Sequence, residues 1–170
     1  MHPSLLDQLI PADFADDSKV WIYQSNRRFT EAQQAEINEQ LTQFYSQWTS
    51  HGTPVKGWAS LVFGQFIVVL ADEVASHVSG CSTDSMVRVI KSIERQYDTH
   101  LFDRLTLTFL VEGDAQMLPL SQVPYALEKG YIKPDTLLFN NTVATKEELM
   151  NKWLIPLKDS WLADRLQLQA

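Results

Sequence analysis

The sequence predicts an α+β fold, a ferredoxin-like βαββαβ antiparallel sheet with two helices on one face and a C-terminal α/β extension. Three observations carry that reading. The first 112 residues alternate short β-branched or aromatic runs with helix-period segments, in the order strand, helix, strand, strand, helix, strand. The wholly apolar run Phe66 to Ala71 reads as a central strand covered on at least one face. Gly64-Gln65, between two such runs, reads as the turn of a hairpin.

In chain order, residues 1–18 form an irregular arm with at most one helical turn around Leu5, Leu6 and Leu9. Residues 19–170 form one α+β domain, divided into a core at 19–112 and an extension at 113–170. Val20-Trp21-Ile22-Tyr23 is the first strand, since β-branched and aromatic residues suit a half-buried pleat. Thr30 and Gln33 have capping-box spacing and open a helix whose Ile37, Leu41, Phe44, Tyr45 and Trp48 share a face. His51-Gly52-Thr53-Pro54 ends it. Val55 to Phe63 and Phe66 to Ala71 make the hairpin, and a loop covers Asp72 to Ser82. The second helix starts between Ser82 and Asp84 and runs to Tyr97, and Leu105 to Val111 is the fourth strand, with Leu105, Leu107 and Phe109 alternating against Thr106 and Thr108. The extension reads as a strand at Gln116 to Leu120, a short helix at Ser121 to Lys129 and a strand at Thr136 to Phe139. Thr145 and Glu148 cap a last helix, which Pro156 breaks.

Composition narrows function by exclusion. The chain has 170 residues, a net charge of −7, and 45% hydrophobic residues, a normal globular balance. An acidic total disfavours nucleic acid and anionic membranes as partners, which need clustered positive charge. One cysteine, Cys81, allows no internal disulfide and no multi-cysteine zinc site. No apolar run is long enough to span a bilayer, and Met1 to Asp7 lacks the basic start of a secretory signal, so the expected location is cytoplasmic. No cofactor or metal site is expected. Asp72 and Glu73, even with Asp84, lack diagnostic ligand spacing.

The candidate site follows from the expected topology, with the first and third strands as parallel neighbours at the sheet centre. Their C-terminal ends, and the helix N-termini they feed, then share one edge. Gln24, Asn26, Arg27 and Arg28 follow the first strand, and Ser79, Gly80, Ser82 and Asp84 precede the second helix. Free helix N–H groups beside two arginines suit an anion or carboxylate. Cys81 at a helix N-terminus is a candidate thiolate nucleophile, with His77 as base and Asp72 or Glu73 orienting it. The opposing reading makes Cys81 a small buried residue and Ser82 to Asp84 ordinary caps. Asp98-Thr99-His100 and Asp103-Arg104 read as a solvated loop with a surface ion pair. Among the tryptophans, Trp153 and Trp161 are the pair placed to line an interface.

Trp21-Ile22-Tyr23-Gln24-Ser25-Asn26-Arg27, His51-Gly52, Asp72-Glu73 and Ser79 to Ser85 together resemble a family of short, functionally uncharacterised bacteroidete proteins often labelled "ABC transporter ATPase". The resemblance runs from about Lys19 through the C-terminal helical region and implies no catalytic residues. ATP hydrolysis by the usual phosphate loop is excluded, since no G-x-x-x-x-G-K-[ST] exists and Gly80 to Ser85 lacks the phosphate-binding lysine. The sequence therefore points to a binding or interaction module for a small anionic ligand, a protein partner or a second copy. A thiol enzyme built on Cys81 and His77 is the alternative.

Overall fold

The computed structural model describes residues 3–72 and 80–168, with backbone only for Pro3, Ser4, Gly80 and Cys81. The fold is α+β, with two main antiparallel sheets and a small hairpin. The N-terminal arm is more ordered than its two prolines suggested. Helix α1 spans Pro3–Leu9, with Pro3 at the first helical position where its missing N–H costs nothing. Leu6, Ile10 and Phe14 are buried against the sheet, which is what orders the arm.

Strand β1 (Lys19–Gln24) leads into helix α2 (Glu31–Ser46). The predicted capping box is present: Thr30 Oγ1 accepts from the Gln33 N–H at 3.2 Å, and Gln33 Oε1 accepts from the Thr30 N–H at 3.1 Å. Residues 49–54 do more than end the helix. Strands β2 (Thr49–Ser50) and β3 (Thr53–Pro54) pair around His51 and Gly52, both at positive φ as a two-residue hairpin turn requires. Strands β4 (Lys56–Val62) and β5 (Phe66–Asp72) form the expected hairpin around residues 63–65. In β4 the Trp48 ring lies over Gly57, where an added Cβ would sit 2.5 Å from the ring.

The first sheet has the order β1-β5-β4. Its central strand is buried on both faces, which explains an apolar run with no alternation. Ile67, Val69 and Ala71 pack towards α2 and helix α3 (Gly80–Tyr97). Phe66, Val68 and Leu70 pack the other way, onto a second sheet and helix α5 (Lys146–Lys152). That second sheet has the order β7-β6-β8-β9, from β6 (Thr106–Val111), β7 (Asp114–Pro119), β8 (Leu137–Phe139) and β9 (Leu154–Pro156). Its far face is covered by helix α4 (Val123–Glu128) and the turns around Leu157 and Leu162. The result is layered: helices, sheet, sheet, helix. Phe66, Phe139 and Trp153 join the sheets through ring contacts 4.7–5.2 Å between centroids. Trp153 is therefore core, not interface.

Two features of the expected topology are corrected. Strand β1 runs antiparallel to β5, with Lys19 opposite Ala71 and Gln24 opposite Phe66. The two strands therefore end at opposite edges, separated by the strand length of roughly 17 Å at about 3.3 Å per residue. The predicted fourth strand, β6, does not join this sheet. It pairs with β7 and β8 instead, so the second sheet draws on both sides of residue 112. The local reason is that β6 is buried on both faces: Phe109 fills one core, and Leu110 with Thr108 lies on the other side. A four-stranded sheet with one solvated face would have no place for both.

Candidate functional site

A cleft of about 320 Å³ opens between β1 and the segment that leads into β6. One wall is Ile22, Tyr23 and Gln24 of β1, and the opposite wall is the segment Leu101 to Leu107. Phe139, Asn141, Thr142 and Trp161 close the remaining sides. The position follows from the fold: β1 ends here, and the chain returning from α3 passes beside it before entering β6. Tyr23 and Phe102 meet edge to face with centroids 5.2 Å apart. Phe102 and Trp161 remain 43% and 48% exposed, large apolar surface gathered at one opening.

Polar groups in the wall are held rigidly. Gln24 is buried, and its Nε2 donates to the Thr106 carbonyl at 2.8 Å while its Oε1 accepts from Asn141 Nδ2 at 3.0 Å. Asn141 Oδ1 in turn accepts from Trp153 Nε1 at 3.0 Å. This chain ties the first sheet, the second sheet and the C-terminal core together at the base of the cleft. Asp103 Oδ1 accepts from the Leu105 N–H and Oδ2 from the Thr106 hydroxyl, both at 2.7 Å.

Burial opposes ionisation of Asp103, but the Thr106 hydroxyl, the Leu105 and Thr106 N–H groups and the nearby His100 outweigh it and hold the carboxyl below its ordinary value. Such a group is a fixed acceptor rather than a proton carrier. Burial pushes the Tyr23 phenol up, so it stays a neutral donor. Arg104 is exposed, and no described residue pairs with it. Among the described residues, no histidine, cysteine or serine lines the cleft. The arrangement can therefore stack a flat or apolar group and offer one cation to an anion.

The sequence-predicted residues fall in several places. Gln24 lines the cleft. Asn26 Oδ1 accepts from the Thr99 hydroxyl at 2.8 Å and the His100 N–H at 3.0 Å. Arg27 donates to the Tyr97 carbonyl at 2.6 Å and to Gln33 Oε1 at 3.2 Å, over the Phe29 ring. Arg28 pairs with Asp114 at 2.9 Å. Both arginines thus have partners within the fold, Arg27 at the end of α3 and Arg28 in an exposed ion pair.

Asp72 is at the other end of the sheet, buried, with Oδ2 3.9 Å from Lys56 Nζ. Gly80 and Cys81 open α3. Ser82 is buried, its carbonyl accepting from Trp48 Nε1 at 3.0 Å, and Asp84 is exposed on α3. Antiparallel pairing places this group far from Arg27 and Arg28. Glu73, His77 and Ser79 lie outside the described residues, as does the Cys81 side chain, so the thiol constellation gains no geometry. Among the described residues no three His, Cys, Asp or Glu side chains gather as metal ligands.

Sequence reasoning missed the segment Leu101 to Arg104. Asp103 and Arg104 form no ion pair; the aspartate turns into the chain and the arginine outwards. The available signal was Phe102, an aromatic residue beside Asp103 and Arg104 in a segment between helix and strand. A second, more open concavity of about 700 Å³ lies between α2 and α3, lined mostly by glutamines, serines and Phe44 with His51 as its one titratable side chain. No described helix is long and apolar enough to cross a membrane. Comparison with protein-family models, curated proteins and solved structures finds no match to this chain.

Proposed function

We propose that the chain is a binding module whose ligand carries a carboxylate or similar anionic group and sits in the cleft between β1 and residues 101–107. One observation supports this above the rest: a single opening combines exposed aromatic faces with an arginine that no described residue neutralises. Aromatic walls desolvate the ligand body, and a guanidinium in that setting gives a strong, directional contact to a carboxylate. Gln24, Asn141 and Asp103 are already satisfied, so binding need not rearrange the wall. The anionic ligand of the sequence reading is retained, and its site moves from Arg27 and Arg28 to Arg104.

Calorimetry of the protein with phenylpropionate, indole-3-acetate and their amides tests the reading. The acids bind, the amides bind more weakly, and Arg104→Gln removes the difference. Absence of binding by every acid at millimolar concentration would overturn it.

A further inference from the structure

The β1 wall of the cleft is a strand edge with no strand beside it. Strand β1 has a neighbouring strand on one side, β5, and on its outer side a single bridge at its start, Lys19 with Thr145. In an antiparallel strand the N–H and C=O of alternate residues point to opposite sides. Two contacts fix the phase: the Ser25 N–H donates to the Gln65 carbonyl on the β5 side, and the Val20 N–H donates to the Ala144 carbonyl on the outer side. Ile22 and Gln24 therefore direct their backbone groups outward, away from β5. The outer edge is sealed above by Val20 with Ala144 and below by the Asn26 N–H, which donates to the His100 carbonyl at 3.0 Å. Between those seals, no backbone bond joins the outward edge of Ile22 or Gln24 to another described residue. Both residues line the cleft.

This window exists because β6 leaves for the second sheet. A strand edge inside an aromatic cleft is matched by another extended backbone, which alternates donors and acceptors at the same spacing. The window presents two residues' worth of such groups, which an extended segment of about three residues, roughly 10 Å long, would satisfy. Arg104, the one cation in the lining among the described residues, selects the charge of that segment. The acid in the lining, Asp103, is already occupied by its own loop.

We propose that the cleft binds the extended C-terminal residues of a partner protein, adding a short strand to β1 at Ile22 and Gln24 and placing the terminal carboxylate at Arg104. This deepens the ligand reading above and rests on it. Small aromatic acids would use the stacking faces and Arg104 without using the strand edge.

The test is a pool of N-acetylated tripeptides with free C-termini, applied to the whole chain beside three controls: the same pool amidated, the pool methylated on its central backbone nitrogen, and phenylpropionate. Binding is read by calorimetry, and the edge is read by amide hydrogen exchange at Ile22 and Gln24. Amidation and methylation are each expected to weaken binding by roughly tenfold, as loss of a charged or backbone hydrogen bond does. Both amides are expected to become protected in the complex. Arg104→Gln should weaken the free-acid pool and leave the amidated pool unchanged.

If phenylpropionate binds but the methylated pool matches the unmethylated one and no protection appears, the peptide assignment fails and the anion cleft stands. If neither peptides nor phenylpropionate bind, both fail. Concentration-dependent dimers that protect Ile22 and Gln24 without added peptide would overturn the partner protein in favour of a second copy.

Discussion

The Arg27 guanidinium donates a 2.6 Å hydrogen bond to the backbone carbonyl of Tyr97, the last residue of α3. A cation at that point meets the negative end of the helix dipole and one of its unpaired carbonyls. The same side chain reaches Gln33 in the first turn of α2 and lies over Phe29, with its carbon 5.1 Å from the ring centre. One residue thus fastens the end of α3 to the start of α2.

Arg27→Ala is accordingly a stability variant. Loss of a charge-assisted hydrogen bond and the ring contact is expected to cost about 2 kcal/mol, lowering the melting temperature by roughly 4–8 °C for a chain of this size. Arg27→Lys should recover only part, because a point charge cannot serve two acceptors and a ring together. Thermal denaturation with parallel calorimetry decides the matter. A variant with unchanged melting but lost ligand affinity would return Arg27 to the anion site.

Tyr97 also holds the helices from its phenol, which donates to Glu36 Oε2 at 2.7 Å. Desolvation, the hydrogen bond to Glu36 and the Glu36 charge push its pKa up to about 12, against a smaller opposing effect of Gln40. The raised folded value means the contribution is fully present below the ordinary pKa of 10.0 and lost as pH rises through about 12. Absorbance titration near 295 nm should show Tyr97 and the buried Tyr23 ionising late, and Glu36→Gln should bring Tyr97 alone earlier. Five tyrosines ionising together near pH 10 would refute this.

Asn141 is the joint of the bridge between Gln24 and Trp153. Asn141→Ala leaves Gln24 Oε1 and Trp153 Nε1 without these partners at the base of the cleft. A cost of about 1–3 kcal/mol is expected for polar groups stranded in this way. Denaturant unfolding measures it. Asn141→Ala should also weaken binding of phenylpropionate, because Gln24 is no longer held from both ends. Unchanged stability would show that water replaces the amide without loss.

Elements with local causes were readable in the sequence. Thr30 with Gln33 and Thr145 with Glu148 marked helix starts because a cap needs only residues three apart, and both caps form. Phe66 to Ala71 was readable as a central strand because burial on two faces removes alternation. Pairing was less accessible. Leu105, Leu107 and Phe109 against Thr106 and Thr108 looked like a strand with one wet face, yet Thr108 is fully buried, its hydroxyl accepting from Gln65 Nε2 at 2.7 Å. Leu105, counted among the inward residues, is 72% exposed. The sheet that β6 joins depends on partners in residues 114–139, and no local pattern names them. The partners of the two arginines were hidden for the same reason. Arg27 and Arg28 show charge in the sequence, but the carbonyl of Tyr97 and the carboxylate of Asp114 that engage them lie 70 and 86 residues away.

Asp103 makes the cleft wall sensitive to acid. Its carboxylate holds the Leu105 N–H and the Thr106 hydroxyl, and so shapes the loop that carries Phe102 and Arg104. The folded value lies below the ordinary 3.8, so the stabilisation is fully present above that value and disappears as pH falls through the lower, folded one. Asp103→Asn keeps one acceptor and loses the charge. The difference in unfolding free energy between wild type and Asp103→Asn should be constant from pH 7 to 5 and shrink below about pH 4, where the wild-type carboxyl takes up its proton. Denaturant titrations at pH 7, 5 and 3 give that curve. A difference that persists undiminished at pH 3 would mean that Asn fails through shape rather than charge, and Asp103 would then be holding the loop by geometry alone.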